Sequence, residues 1–333
     1  ALSSAASDVY KRQLLSLLFL STAVFATVKY VFRAPELDTD KPVVTPDSTA
    51  STDVDRTDTD EPDAPGRTRR EYCYNILVSG LDDDNGGSDT NILVRFDVPN
   101  KRIDLVSLPR DTLLHNEYRN NKLNFAYAKG GTELLMSQIE NLLGIPVDFY
   151  VTVNLKGFIA LVDQIDGVDF DIPINMDYDD PYQDLHIHFT KGPRHLNGQE
   201  AMEVVRFRHN NDGTGYGTED IGRIGTQQAF LKAVAKQLLQ IGNVKNIPAL
   251  VDIFYTYVKT DLTTGNLVWL GNEALNIGTE NIHFATLPGD GSGYYNKQSV
   301  YVLDAQATCD LVNEALNPYN EALTLEDMDI LVP

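Results

Sequence analysis

A sharp change of composition near residue 72 divides this chain into two unlike parts. Residues 34–71 are rich in Asp, Thr and Pro and carry hardly any large apolar side chains. Such a segment buries too little apolar surface to offset the entropy lost on ordering, so we predict a disordered acidic linker. From Tyr72 onward, short β-type runs alternate with helical stretches. We therefore predict one α/β domain over residues 72–333, with a mixed central β-sheet flanked by helices.

The predicted elements of this domain follow from the spacing of its apolar residues. The strand-like runs are residues 75–80, 90–97, 102–109, 147–154, 167–173 and 281–288. Helical spacing marks residues 131–143, 155–166, 219–240 and 302–316, with two more helical stretches after Pro248. Residues 174–196 are polar and dotted with aromatic side chains, and we predict a loop there.

An apolar stretch at residues 14–32 is long enough to cross a bilayer as a helix of about 28 Å. Lys11 and Arg12 precede it. The positive-inside rule then makes residues 1–33 a cytoplasmic N-terminus and transmembrane anchor, with the rest of the chain outside, although two basic residues at the far end weaken this orientation. A cleaved signal peptide is the alternative. An uncleaved anchor is favoured because no small-x-small cleavage site follows the apolar run.

The charge balance limits the partners of this chain. With 48 acidic and 27 basic residues, its formal net charge is −21. A chain so acidic lacks the general attraction to phosphate backbones on which nucleic-acid-binding proteins rely, so nucleic acid is excluded as a partner. Arginines that gather at one place in such a chain need a local reason, and an anionic ligand supplies it.

Neither the cysteines nor the histidines predict a metal centre. Cys73 and Cys309 have no CxxC or Cys–His spacing suited to zinc, and either a single disulfide or two buried thiols fits them. His186 and His188 alternate in a strand-like run, where a shared metal is conceivable. Exposed strand histidines are the favoured interpretation.

The Gly-rich segment at residues 80–91 places several carboxylates on a turn between two strands. Oxygen ligands on a turn suit Mg²⁺, which takes one or two carboxylates and completes its shell with water and phosphate oxygens. A solvated turn that tolerates acids is the alternative, because Asp, Asn and Gly are common in any hairpin turn.

Basic residues in separate segments suggest a site for a pyrophosphate. Arg110 follows a strand, Arg206 and Arg208 lie two apart and point the same way if the chain is extended there, and Arg223 lies on the long helix. Together with Lys122 they would form a cage whose guanidinium forks match the planar oxygen edges of phosphates. Taken singly, each is better explained as a salt-bridge partner on an acidic surface.

Seven motifs of this chain resemble, in order and spacing, the LytR-CpsA-Psr family of cell-wall glycopolymer ligases. The motifs are NILVSGLD, SDT (88–90), SLPRDT, KLNFAYAKGG (122–131), LVDQIDGVDFDIP (161–173), LNGQEAMEVVRFRH and EDIGRIGTQQ. The resemblance is close over residues 75–240 and loose to about 318. It implies an α/β domain with one N-terminal membrane anchor, a hydrophobic pocket for a polyprenyl chain, and an arginine-rich mouth that holds a pyrophosphate with Mg²⁺ (or Mn²⁺).

The resemblance also implies roles for individual residues. Asp82 and Asp89 correspond to the metal-binding carboxylates. The phosphate-facing set is Arg110, Lys122, Arg206, Arg208, Arg223 and Gln227, with Asp220 in support. Asp111 would orient Arg110 or the incoming hydroxyl, and the catalytic residues would be Arg110, Asp111, Arg206, Arg208 and Arg223. Two positions depart from the family pattern, because Gly87 and Thr226 stand where the family commonly has arginine.

The expected activity is transfer of a phosphate-linked glycopolymer, of teichoic acid, capsule or arabinogalactan type, from a polyprenyl-pyrophosphate carrier to a peptidoglycan sugar hydroxyl. The expected place is the outer face of a bacterial cytoplasmic membrane, with a single membrane pass. Two alternatives stay open: a hydrolase that admits water to the same cage, and a noncatalytic module that binds an envelope polymer. Apolar helices at 131–143 and 155–165 are candidates to line the lipid slot, with Phe158 and Leu161 in its wall; plain core is the alternative for both helices.

Overall fold

A computed structural model describes residues 32–37, 67–81, 86–116, 118–182, 185–216, 219–240 and 247–333 of the chain. Its strands are β1 (Cys73–Leu81), β2 (Ser88–Asp97), β3 (Arg102–Leu108), β4 (Phe149–Asn154), β5 (Val168–Ile172), β6 (Met176–Asp180), β7 (Leu185–Phe189), β8 (Gly192–Leu196), β9 (Val258–Thr260), β10 (Ile282–Thr286), β11 (Gly289–Tyr295) and β12 (Gln298–Leu303). Its helices are α1 (Leu123–Leu143), α2 (Leu155–Gln164), α3 (Gly198–Arg206), α4 (Glu219–Gln240), α5 (Ile247–Tyr257), α6 (Thr264–Ile277) and α7 (Ala305–Ala315).

A six-stranded sheet in the order β10-β3-β2-β1-β4-β9 forms the centre of the fold. Strand β2 runs antiparallel to both β1 and β3, whereas β4 pairs parallel with β1 and β10 pairs parallel with β3. The sheet is therefore mixed, as predicted. Strands β1, β3, β4 and β10 run in one direction, so their carboxyl ends meet at one edge of the sheet.

Both faces of this sheet are covered, which explains the apolar runs of its central strands. Leu77 and Leu93 point to one face and pack with α1 and α7. Tyr74 and Phe96 point to the opposite face and pack with α6. Successive side chains of each strand point to opposite faces of the sheet, so a core forms on each side. The predicted arrangement of helices flanking the sheet is confirmed.

A third core lies beside the sheet and joins α2, α3 and α4 to the two-stranded ribbons β5–β8 and β6–β7. Phe230 of α4 is fully buried at its centre, with ring centroids 5.7 Å from Phe158 and 5.4 Å from Phe170. Because α3 and α4 are fixed through this core, the residues at their ends are held in place at the edge of the sheet.

The structure corrects three predicted elements. The predicted loop 174–196 contains strands β6, β7 and β8, which bury only some of their residues and expose Asp and His. Helix α1 spans Leu123–Leu143 with non-helical backbone at Gly130 and Gly131, so the part after this kink is the predicted stretch 131–143 and the part before it was not predicted. The predicted helix 302–316 begins at Ala305, because the preceding residues complete an unpredicted hairpin, β11–β12.

The prediction of a disordered linker over residues 34–71 is wrong at both ends of that segment. At its start, the Tyr74 hydroxyl donates to the carbonyl of Pro35 (3.1 Å), and Leu37 packs on the sheet core. At its end, Arg67 pairs with Asp327 at 2.6 Å, and two further arginines form ion pairs with the domain. The few apolar and basic residues at the two ends suffice for these contacts. Residues 38–66 lie outside the described part of the chain.

The predicted membrane span at residues 14–32 lies outside the described residues, except for Phe32. Among the residues that are described, no helix combines the length and apolar character needed to cross a bilayer. Cys73 and Cys309 are both buried and both free, so they do not form a disulfide.

Candidate active site

A cavity of about 340 Å³ opens at the sheet edge where the carboxyl ends of the parallel strands meet. Open α/β sheets commonly bind ligands at this edge. The cavity lies between the ends of β1 and β3, the ribbon β6–β7, and helices α3 and α4. It is lined by Gly80, Leu81, Asp89, Thr90, Arg110, Leu155, Tyr178, Leu185, Val205, Arg206, Arg208, His209, Arg223 and Gln227.

Four of the predicted arginines meet in this cavity although they come from three separate segments. Arg110 follows β3, and Arg223 lies in the first turns of α4. The extended geometry predicted for the other two is wrong, because Arg206 is the last residue of α3. The next residue, Phe207, is buried and has left the helix (φ −59°, ψ 135°), and Arg208 follows it. All four still face one space.

The four guanidinium groups differ in burial, which sets how strongly each interacts with a bound anion. Arg223 is only 6% exposed, whereas Arg208 is exposed at the mouth. Charges interact more strongly where water is excluded. Arg223 therefore exerts the strongest local field on a phosphate held at the inner end of the cavity.

Arg110 is held by acidic neighbours on both sides. Its guanidinium donates to Asp89 at 2.5 Å, and its Nε lies 3.9 Å from the Asp111 carboxylate. Lys122 Nζ lies 3.1 Å from the same Asp111 oxygen. Neither Asp111 nor Lys122 lines the cavity. Lys122 thus does not line the cavity itself and contacts the Asp111 carboxylate that lies beside Arg110.

Gln227 lines the cavity and also connects the two helices that carry its arginines. Its amide donates to the carbonyl of Val205 at 3.1 Å. Thr226, at one of the positions that depart from the family pattern, is buried away from the cavity, with its hydroxyl 2.8 Å from that of Tyr216. The other departure, Gly87, lies just before β2, where an added Cβ would meet only the carbonyl of Asn124 at 3.7 Å.

Gln228 is a residue that supports the site from behind and that the sequence interpretation missed. Its amide nitrogen lies 2.7 Å from the carbonyl of Ala285, 2.9 Å from the Thr286 hydroxyl and 3.1 Å from the Ser107 hydroxyl. It thereby ties α4 to the carboxyl ends of β3 and β10. The sequence does contain two adjacent glutamines here, and of the two only Gln227 faces the cavity.

Other missed residues belong to the segment predicted as a loop. Tyr178 of β6 and Leu185 of β7 form one wall of the cavity. His209, which also lines it, stacks edge-on against Tyr178 with ring centroids 5.6 Å apart. Had the alternation in this segment been recognised as strands, its apolar face would have identified this wall.

The donor set of the cavity fits a hard cation. Asp89 lines the cavity, and its side chain is 38% exposed. One of its oxygens accepts from Arg110, and a carboxylate has acceptor capacity on its second oxygen. Mg²⁺ needs no more than one or two protein carboxylates when phosphate and water supply the remaining ligands. Asp82 lies outside the described residues, as does the side chain of Asp220 on α4.

The fold is that of an α/β protein, and its cavity is lined by four arginines. The model of the LytR_cpsA_psr family matches residues 43–317. The chain belongs to this family.

The chain is also similar in sequence to two transferases and in fold to a solved structure. The chain is 32% identical over 248 residues to the polyisoprenyl-teichoic acid–peptidoglycan teichoic acid transferase TagV of Bacillus subtilis, an alignment that spans 71% of this chain and 61% of TagV. It is 32% identical over 244 residues to the transferase of the same description, TagU, of Bacillus cereus, spanning 72% of this chain and 76% of TagU. The crystal structure of B. subtilis TagV matches with a TM-score of 0.63 and 26% identity, covering 79% of this chain and 100% of that one.

Proposed function

We propose that this chain is a phosphotransferase that moves a phosphate-linked glycopolymer from a polyprenyl-pyrophosphate carrier to a sugar hydroxyl of peptidoglycan. One observation carries the proposal: four arginines from three segments line one cavity in a chain whose net charge is −21. The descriptions of TagV and TagU as teichoic acid transferases support the same class of donor and acceptor.

The arginines would hold the donor by its pyrophosphate. Arg206, Arg208 and Arg223 approach from α3 and α4, and Arg110 approaches from the sheet, so the phosphate oxygens are contacted from two sides. Guanidinium forks bind phosphate through paired hydrogen bonds. A cavity of about 340 Å³ is at the small end of ligand pockets and suits a charged head group better than a whole polymer.

In the transfer step, the acceptor hydroxyl oxygen forms a bond to the phosphorus that carries the glycan. The bond from that phosphorus to the bridging oxygen breaks, the lipid leaves as polyprenyl phosphate, and the hydroxyl proton is released to water. Phosphoryl transfer needs positioning and charge neutralisation more than covalent help from the protein. The buried Arg223 and the fixed Arg110 supply preorganised positive charge where negative charge grows on the leaving phosphate.

Asp111 and Lys122 would act on the reacting atoms indirectly, through Arg110. The Asp111 carboxylate lies between Lys122 and Arg110, which fixes the direction of the Arg110 guanidinium. We assign Asp111 as a positioning residue for Arg110. Its other suggested role, orienting the hydroxyl, is disfavoured because it does not line the cavity.

Asp89, together with Asp82, would hold a Mg²⁺ or Mn²⁺ ion at the cavity. When bound, such an ion neutralises phosphate charge and orients the oxygens of the donor. Asp89 is also the partner of Arg110, so a single carboxylate would connect the metal to the arginine set.

The proposed place of the reaction is the outer face of a bacterial cytoplasmic membrane. The apolar stretch at residues 14–32 has the length and composition of a single anchor, and the proposed donor is itself a membrane lipid. Peptidoglycan, the proposed acceptor, lies on the same side.

For the lipid part of the donor, we propose a place beside α2 rather than beside α1. Leu135 and Ile139 of α1 are fully buried in the sheet core, so that helix face is core rather than slot. On α2, Phe158 contacts Phe230 in the third core, and Leu155 is the residue of this helix that lines the cavity.

The decisive experiment uses the purified full-length chain in detergent, a polyprenyl-pyrophosphate-linked oligosaccharide with a radiolabelled glycan, Mg²⁺ and soluble peptidoglycan fragments. Label that appears on the fragments, and only when they are present, supports transfer. Phospho-oligosaccharide released equally without fragments would identify a hydrolase. Donor binding without release under any condition would identify a noncatalytic binding module. The Arg206→Ala variant, run in parallel, controls for contaminating enzymes.

A further inference from the structure

The outer face of the ribbon β6–β7 carries a cluster of two histidines and two aspartates. In the antiparallel register Asp177 lies opposite His188, and Asp179 lies opposite His186. All four alternate with the buried residues of their strands, so they project on the same, exposed side. Ligand atoms of Asp179, His186 and His188 all lie within 4.8 Å of one another.

The contacts within the cluster orient its side chains toward one point. The Asp179 carboxylate oxygen lies 2.5 Å from His186 Nδ1 and 3.3 Å from His188 Nε2. The other ring nitrogen of His188, Nδ1, lies 2.8 Å from the Asp177 carboxylate. A metal-binding histidine commonly donates its second ring N–H to a carboxylate, which fixes the ring and raises its basicity. For His188, Asp177 is the carboxylate in this position.

The backbone that carries the cluster is fixed from the side. The amide of Asp177 donates to the Asn210 side chain at 2.7 Å, and the amide of Asp179 donates to the Asn211 side chain at 2.6 Å. A two-stranded ribbon by itself is marginally stable, so these bonds help hold the two aspartates in register with the histidines.

We propose that this face binds a divalent transition-metal ion of the zinc class through Asp179, His186 and His188, with Asp177 orienting His188. Two imidazoles and a carboxylate suit Zn²⁺, whereas Mg²⁺ prefers oxygen ligands alone. The site is distinct from the one proposed at Asp89.

A metal ion here would act on the wall of the cavity. Tyr178 and Leu185, on the opposite face of the same ribbon, line the cavity. Asn210 and Asn211, which bind the β6 edge, follow Arg208 after one intervening residue, His209. A bound ion would cross-link β6 to β7 and thereby stiffen the cavity wall and the segment that carries Arg208.

The test is isothermal titration of Zn²⁺ into the full-length chain, purified with a tag that contains no histidine. We expect a single saturable site, with affinity lowered about 10- to 100-fold in Asp177→Asn and binding abolished in the double variant His186→Gln/His188→Gln. Asp89→Asn should bind Zn²⁺ as the wild type does. His195→Gln is the matched control, because His195 pairs with Asp169 at 2.8 Å on the neighbouring ribbon but supplies one imidazole only.

Two further readouts keep the test independent of activity. Co²⁺ in place of Zn²⁺ should give visible absorption bands of a site with nitrogen ligands in the wild type and not in the double variant. Zn²⁺ should slow amide hydrogen exchange in β6 and β7. Equal Zn²⁺ affinity in the wild type and a folded double variant would show that these histidines do not bind the ion. Unchanged amide hydrogen exchange in β6 and β7 at saturating Zn²⁺ would show that the ion does not stiffen the ribbon.

Discussion

Arg110 and Asp89 form an ion pair of 2.5 Å at the edge of the candidate active site. Both line the cavity, and Asp111 contacts the same arginine from outside it. An arginine held in this way keeps its direction before a ligand arrives, so less ordering entropy is lost on binding. The pair also makes Asp89 and Arg110 interdependent, which determines how their substitutions should behave.

Arg110→Ala and Arg206→Ala should each lower the transfer rate by about 10²-fold or more while leaving the fold intact. The reason is that these partly exposed arginines supply charge to the transition state rather than packing. Transfer kinetics and thermal unfolding of each variant test this. Arg194→Ala is the control, since Arg194 is a partly exposed arginine that pairs with Glu200. Wild-type turnover in Arg110→Ala or Arg206→Ala would remove the arginine set from the mechanism.

Asp111→Asn should lower activity less than Arg110→Ala, and its effect should vanish when Arg110 is already alanine. This follows if Asp111 acts only through the direction of Arg110. Comparing kcat/KM of the two single variants with the double variant measures the coupling between them. Independent, additive losses would instead mean that Asp111 has a role of its own.

Activity should require Mg²⁺ or Mn²⁺, disappear in chelator and return when the ion is restored. Asp89→Asn should raise the Mg²⁺ concentration needed for half-maximal rate, because a carboxylate binds this ion more strongly than an amide does. A Mg²⁺ titration separates this effect from the loss of the Arg110 ion pair, which does not depend on the ion. Full activity of Asp82→Asn/Asp89→Asn in EDTA would contradict the metal proposal.

Gln228→Ala should lower the free energy of unfolding by about 1–3 kcal/mol, because partly buried polar groups at the ends of β3 and β10 would lose their donor. Urea denaturation with an unchanged m-value is the measurement. Gln199→Ala is the matched control, since the exposed Gln199 bonds Glu203 in the same helix. Equal stability of the two variants would show that α4 is fixed by packing alone.

His195 should titrate above its ordinary pKa of 6.5, because its hydrogen bond to Asp169 favours the protonated ring. Its small contribution to stability is therefore complete below pH 6.5 and is lost as the pH rises through the folded-state pKa. Asp169→Asn should move the midpoint of an NMR titration of His195 downward. Identical midpoints in the wild type and this variant would show that the pair is not formed in solution.

The central sheet could be predicted from the sequence because its strands are buried on both faces. The runs that contain Leu77 and Leu93 are continuous apolar segments, which few other structures accommodate. The ribbon β6–β7 was missed for the opposite reason. Its outer residues, among them Asp177 and His188, make the segment look polar although the residues that alternate with them are buried or half-buried.

The arginine set was predicted in part. Arg110, Arg206, Arg208 and Arg223 were selected as basic residues of an acidic chain that also match the motifs of the LytR-CpsA-Psr family, and they do line one cavity. Lys122 met the same criterion, but the sequence does not reveal that it pairs with the Asp111 carboxylate and does not line the cavity. Such a pairing depends on side-chain distances across the fold, which spacing along the chain does not encode.

The contacts of residues 33–37 attach the start of this segment to the folded domain. The carbonyl of Arg33 accepts from the Asn266 side chain at 3.1 Å, and Pro35 is buried, while Arg67 pairs with the same domain. Residues 32–37 and 67–71 therefore belong to the same folded body as the cavity. The separation between Phe32 and the cavity is accordingly set by the folded domain.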